Sequence, residues 1–222
     1  MACSQAVEET NLIERDGLKY LMGKRTPYSG KMVSSYENGQ KKEEGIYTAG
    51  LRKGMFIKWY TNGQKMEEIN YNHGQMDGLQ IIWFEDGRKK EERSYMNGME
   101  NGRWTSWYVN GQKKEEVFFK DGEKDGTSTL WYVDGNKEKE EKFKNGKRHG
   151  LSSSWYQNGQ KKRAGAYTDD MHDGIWIDWY ENGKKWVQGT FKNGLREGKW
   201  TGWWENGRKF KEENFKSGKW NG

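Results

Sequence analysis

The sequence predicts an all-β protein, an elongated single-layer antiparallel meander of eight 24-residue β-hairpin repeats, and three observations carry that prediction. Gly39, Gly63, Gly87, Gly111, Gly135, Gly159, Gly183 and Gly207 stand 24 residues apart without an insertion, which marks a repeat array. A second series, Gly30, Gly54, Gly78, Gly102, Gly126, Gly150, Gly174, Gly198 and Gly222, keeps the same step. Aromatic residues fall in columns of the same period. Four places before the first-series glycine stands Trp59, Trp83, Trp107, Trp131, Trp155, Trp179 or Trp203, with Ser35 in the first repeat. The next residue is always aromatic, from Tyr36 and Tyr60 to Trp204, and so is the one eight places after the glycine, from Tyr47 and Tyr71 to Phe215.

Taken in chain order, residues 1–11 read as a flexible polar tail, 12–30 as an N-terminal lead-in segment and 31–222 as the array. Each unit opens with a strand of about six residues, placed near Met55 to Tyr60 in the second repeat. A tight turn follows at Asn62-Gly63, Asp86-Gly87 or Asn110-Gly111, a strong hairpin signal because such turns need positive φ. The second strand, of about eight residues, lies near Gln64 to Tyr71. A looser turn, as in Asn72-His73-Gly74 or Lys192-Asn193-Gly194, leads to the next unit, with Asp170 the only non-glycine in its column. Short connections make successive strands antiparallel neighbours. About 16 strands at about 4.8 Å each give an array of about 75 Å. Neighbouring residues in a strand point to opposite faces, so both faces carry an aromatic ladder. Whether the Asn-Gly turn is a two-residue type or carries a bulge decides which ladder the later Tyr or Phe column joins.

With 32% hydrophobic and 32% charged residues and 30 glycines the composition suits a disordered chain, but 13 Trp, 12 Tyr and 8 Phe contradict that reading. Aliphatic residues are too few for a two-layer core, and units that pack only on their neighbours fit better. The net charge of +6, with 33 acidic residues interleaved, gives no clear nucleic-acid footprint.

Catalytic chemistry is sparse. His73, His149 and His172 occupy three different columns, which argues against a metal site or a general base. Cys3 is the single cysteine, which excludes an intrachain disulfide and a Cys-based zinc site. No phosphate-cradling or nucleophile motif is present. The expectation is therefore a non-enzyme without metal, cofactor or catalytic residues. No apolar stretch is long enough to span a bilayer and no signal region precedes the repeats, so the chain as written reads as cytoplasmic. Were a signal peptide removed ahead of Cys3, Cys3-Ser4 would read as the lipidated start of a cell-envelope protein.

Segments such as Trp59-Tyr60-Thr61-Asn62-Gly63-Gln64 and Trp179-Tyr180-Glu181-Asn182-Gly183-Lys184, each followed by a Tyr or Phe and a second Gly, resemble the bacterial MORN-repeat variant of YwqK-family antitoxins. The lead-in residues Gly17-Leu18-Lys19-Tyr20 and Thr26-Pro27-Tyr28-Ser29-Gly30-Lys31 share in that resemblance. Related repeats carry a Gly six places after the turn glycine. Gly45, Gly165 and Gly189 keep it, while Ile69, Arg93, Val117, Glu141 and Glu213 depart from it. The resemblance implies a non-enzymatic scaffold that binds a protein partner, antitoxin-like (the partner then being a toxin) or an adaptor. The alternative it implies is a structural or surface-associated protein binding membrane headgroups or polysaccharide.

Candidate contact residues come from two patterns. Lys41, Lys65, Lys89, Lys113, Lys137, Lys161, Lys185 and Lys209 form a column, with Glu44, Glu68, Glu92, Glu116, Glu140 and Glu212 three places on. These read as solvated cross-strand pairs that keep a flat sheet soluble, with Lys stems lying over aromatic rings. Alternatively Lys89, Lys113, Lys137 and Lys161 form a basic stripe for an anionic surface. The second pattern is irregularity in units six and seven. There Ala164 and Gln188 replace the glutamate, Trp176 and Trp186 add aromatics, and Asp169, Asp170 and His172 sit in an acidic turn. Met55, Phe56 and Met66 form a smaller irregular cluster. The strand near Phe210 to Phe215 reads as an open edge suited to weak self-association or strand addition.

Overall fold

The computed structural model describes residues 5–221. Among these there is no α-helix, only a 3-10 turn at Glu9–Asn11, and the chain divides into two compact units, 1–111 and 112–222. Each is an antiparallel meander.

In the first unit the strands Gly30–Ser35, Lys41–Thr48, Leu51–Trp59, Lys65–Asn72, Gln75–Trp83 and Lys89–Met96 pair in sequence order, and Met99–Glu100 and Gly102–Trp107 both pair with Lys89–Met96. The second unit repeats the scheme through Lys113–Lys120, Glu123–Trp131, Lys137–Lys144, Lys147–Trp155, Lys161–Thr168, Met171–Trp179, Lys185–Lys192, Leu195–Trp203 and Lys209–Lys216. That last strand is not wholly an open edge, because Phe215 and Lys216 pair with Trp220 and Lys219.

The relative tightness of the two turns is the reverse of the sequence expectation. At the Asn-Gly turn, Gly63 N–H donates to the Tyr60 carbonyl at 2.9 Å and Tyr60 N–H to the Gln64 carbonyl at 2.8 Å. Only Gly63 takes positive φ, 83°. Asn62 stays outside the left-handed region, and its Oδ1 accepts the Gln64 N–H at 2.9 Å. This is a type I turn closed by a glycine bulge, so the bulged alternative holds. The connection expected to be looser is the tighter one. His73 and Gly74 have φ of 47° and 80°, and Asn72 pairs directly with Gln75, which defines a two-residue type I′ turn.

Except at Gly30–Ser35 and Gly102–Trp107, the first strand of a hairpin runs to nine residues rather than about six, because it begins directly after the type I′ turn and contains a bulge. Glu44 pairs with Ile57 and Ile46 with Lys53, so Gly45 alone faces residues 54–56. The bulge brings the Phe56 ring onto Gly45, where an added Cβ would lie 2.3 Å from the ring. The second glycine series serves this bulge, as the φ of 72° at Gly54 shows.

The later Tyr or Phe column joins this buried ladder. In the first unit the centroid separations are 5.5 Å for Tyr47–Phe56 and 5.2 Å for Phe56–Tyr71. In the second they are 5.0 Å for Tyr167–Trp176 and 4.9 Å for Phe191–Trp200. The Trp column, three strand positions from Phe56, faces the other way and is only half-buried. Within each unit it is tied from repeat to repeat through its carbonyls. Tyr60 Oη donates to Trp83 O at 2.7 Å, and Tyr156 Oη to Trp179 O at 2.8 Å.

The N-terminal part closes the first core. Val7–Glu8, inside the expected tail, pairs in parallel with Met32 and Val33. The Leu12–Arg15 and Leu18–Leu21 hairpin places Leu12 against Met32, Tyr47, Phe56 and Ile69. Cys3 lies outside the described residues.

Candidate functional site

The sequence repeats in columns, and a site arises where several columns change together. One such column is the bulge residue after the lysine that recurs in every repeat. It reads Lys42, Met66, Lys90, Lys114, Glu138 and Lys162, then Trp186 and Phe210. In earlier repeats its lysine covers the turn aromatic, as Lys42 does Tyr36 at 5.9 Å and Lys162 does Tyr156 at 5.5 Å. In the last two repeats an aromatic ring takes that place. Trp186 packs on Tyr180 at 5.9 Å and Phe210 on Trp204 at 4.5 Å.

A second change empties the floor. The cross-strand row that holds Arg163 and Asp178, joined by guanidinium–carboxylate bonds of 2.5 and 2.9 Å, continues through Val187 and Gly202 to Lys211. Val187 and Gly202 bring no charge and little bulk, and the Phe210 ring lies over Gly202, 2.7 Å from where a Cβ would stand. The result is a groove of about 480 Å³ within the second unit, with Trp176, Trp186, Phe191, Trp200 and Phe210 as its aromatic walls. Trp186 and Phe210 remain 47% and 42% exposed at its mouth.

Trp176 contributes differently from the sequence expectation. It is 4% exposed, its ring sits on Gly165 and its Nε1 donates to the Ala166 carbonyl at 3.0 Å, so it offers the groove only part of a packed ring. His172 lies between Tyr167 and Phe191, both at 4.8 Å, with Trp176 edge-on at 4.4 Å. Burial, then the charges of Arg163 and Arg148, push its pKa below the ordinary histidine value, against a smaller opposing effect of Asp178. Asp169 and Asp170 stand outside the groove. Asp170 accepts from Arg148 Nε at 2.8 Å, and Asp169 Oδ1 lies 3.3 Å from His149 Nδ1. Asp170 holds a left-handed φ of 67° without glycine, and its carboxyl is kept below the usual range first by that Arg148 bond.

The lysine column is not gathered into the groove either. Its ion pairs run within one strand rather than across strands, at 2.7 Å for Lys89–Glu92 and for Lys113–Glu116, and Lys137 pairs likewise with Glu140. The bulge on the second strand brings residues three apart together. The same ammonium groups lie over rings, Lys89 over Trp107 at 6.0 Å and Lys113 over Trp131 at 5.6 Å. Lys161, with Ala164 three places on, makes no ion pair among the described residues.

Sequence reasoning did not single out Phe210, Gly202, Arg196 or Trp200 as site residues. The signal for Phe210 was present in the bulge column, which turns aromatic only at Trp186 and Phe210. For Gly202 no periodic signal marks a floor, because the pairing register defines it.

Five segments match the MORN repeat variant: 52–73, 100–121, 148–169, 173–193 and 196–217. Each MORN-variant segment covers one hairpin, two strands around the bulged turn. The last three carry every groove residue except His172. MORN repeats suggest a scaffold of the kind that binds proteins or membranes, and this all-β framework is typically non-enzymatic. No curated protein matches the sequence.

Proposed function

We propose that this protein is a non-enzymatic repeat scaffold that binds a protein partner, in an antitoxin-like or adaptor role, through the aromatic groove of its last repeats. The observation that carries this reading is the joint change of columns at Trp186, Val187, Gly202 and Phe210, which opens an apolar hollow beside two exposed rings. Large aromatic side chains around a desolvated pocket are the usual energetic centre of a protein interface. A side chain of a partner that fills the hollow would bury apolar surface otherwise left in water. Headgroup binding is less well supported, since three of the four lysines that would supply it, Lys89, Lys113 and Lys137, are paired with glutamates and laid on tryptophan rings.

Site-specific photo-cross-linking in the native cell tests the proposal, with the cross-linker placed at Phe210 and, as a control, at Leu151, which is 67% exposed and outside the groove. A discrete protein adduct from position 210, absent from position 151 and lost on Trp186→Ala, is expected. Adducts to lipid alone, or equal adducts from both positions, would sink it.

A further inference from the structure

Among the described residues, one exposed cation lining the groove, Arg196, makes no hydrogen bond or ion pair through its side chain. Arg52, Arg148 and Arg196 occupy one column of the repeat, two places after the type I′ turn glycine, and each guanidinium lies over rings of the buried ladder. The chain completes the first two. Arg52 Nη1 donates to Tyr71 Oη at 2.9 Å, and Arg148 Nε donates to Asp170 Oδ1 at 2.8 Å. Arg196 stacks on Trp200 at 4.5 Å and Phe215 at 5.2 Å. At the position equivalent to Tyr71 it has Phe215, without a hydroxyl, and at the position equivalent to Asp170 it has Gly218, without a carboxylate. The backbone is otherwise alike. Asp170 N–H meets the Arg148 carbonyl at 3.0 Å and Gly218 N–H meets the Arg196 carbonyl at 2.9 Å. The other charges of the groove are closed among themselves, Arg163 with Asp178 and Lys211 with Glu213 at 2.9 Å.

We infer that the groove receives an acidic peptide segment of the partner, an apolar side chain entering between Trp186 and Phe210 while an adjacent carboxylate takes on Arg196 the place that Asp170 takes on Arg148. The Arg148–Asp170 contact is the chain's own example of a carboxylate docking on this column. A planar guanidinium held over rings presents its N–H edge already oriented, and charge-assisted bonds of this kind are about twice as strong as neutral ones. Uncompensated positive charge beside an apolar hollow selects an apolar residue next to an Asp or Glu, and disfavours a basic segment. This inference rests on the groove being a protein-binding site.

The test is selection of a random-peptide display library on the full chain, followed by calorimetric titration of one synthesised peptide against wild type, Arg196→Gln, Arg148→Gln and Trp186→Ala, each checked for native circular dichroism. Selected peptides are expected to pair Asp or Glu with a neighbouring aromatic or aliphatic residue. Arg196→Gln should weaken the peptide by about 10- to 100-fold, as for loss of a hydrogen bond to a charged group. Arg148→Gln should leave it unchanged. Replacing the peptide's acid by its amide should cost as much in wild type and nothing in Arg196→Gln. Peptides that need Trp186 but show no acidic preference, or that bind Arg196→Gln undiminished, overturn the inference and leave the protein-binding groove standing. A library with no Trp186-dependent peptide overturns both. Displacement of the peptide by anionic vesicles or an oligonucleotide at equal charge assigns Arg196 to phosphate and overturns the acidic-peptide reading.

Discussion

Gly165 and Trp176 show why a small residue and a large one must change together. An added Cβ on Gly165 would lie 2.1 Å from the Trp176 ring, and Gly189 stands in the same relation to Trp200. Where the first position is larger, its partner 11 residues on is small or polar, as with Val117 and Ser128 or Glu141 and Ser152. Arg93 and Trp104 satisfy the rule otherwise, by laying the guanidinium on the ring at 4.9 Å. Gly165→Val is expected to destabilise by about 1 to 3 kcal/mol through overpacking. Trp176→Ser should cost about 3 to 5 kcal/mol. The double variant, which recreates the Val117–Ser128 pairing, should cost clearly less than the sum of the two, as urea unfolding would show. Additive costs would mean that the two residues do not share one space.

His172 gives a second test at this scale. Its pKa is lowered in the folded chain by burial and by Arg163 and Arg148. Between the folded value and the ordinary value of about 6.5, the unfolded chain binds more protons, so stability falls as pH drops through that window and is fully present above it. Denaturant midpoints at pH 7.5 and pH 5 should differ less in His172→Gln than in wild type. An unchanged difference would show that His172 does not carry this linkage.

At the scale of the hairpin, the two turns make different demands. Gly159 has a φ of 82° with nothing near a prospective Cβ, so Gly159→Ala should cost about 1 to 2 kcal/mol from backbone conformation alone. Loss of less than half of that would mean that the turn relaxes to another type. The two ladders also differ. Trp131, in the column facing away from the buried ladder, is half-buried, so Trp131→Ala is expected to cost about 1 to 2 kcal/mol. Trp200, 7% exposed and packed on Gly189, should cost about 3 to 5 kcal/mol when cut to Ala. Equal costs would contradict the division into a core ladder and a lysine-covered one. The period located the Trp131 column and the later Tyr or Phe column that joins the buried ladder, but which of them is buried depended on a bulge that no count of residues reveals.

Across the whole chain, a net charge of +6 combines with a lysine column in which Lys41, Lys65, Lys89, Lys113, Lys137 and Lys209 are each neutralised by a glutamate three places on. Replacing Lys89, Lys113, Lys137 and Lys161 by Gln should therefore leave association with anionic vesicles weak and unchanged in co-sedimentation at low and moderate salt. A tight, salt-sensitive association abolished by the four changes would restore the basic-stripe reading, since phosphate contacts are lost in that manner.

The sequence by itself determined the strand class, the period of 24 and the placing of turns and aromatic columns, because each follows from local demands that a single residue type meets. Gly63 must take a positive φ, and Asn62 caps the turn from within it. The type of each turn was less legible, since Asn-Gly serves both a two-residue turn and a bulged one, and the neighbouring strand's register selects between them. Trp176 and Trp186 look alike as irregular aromatics in the sequence. One is buried on Gly165 and the other stands at the groove mouth, because their strands bulge at different points. That Arg196 finds no hydrogen-bond or ion-pair partner among the described residues was equally hidden. It follows from Phe215 and Gly218, 19 and 22 residues on, which only cross-strand pairing sets beside it. Local conformation is written in neighbouring residues, whereas burial and charge compensation are settled between strands, and there the tertiary structure decided.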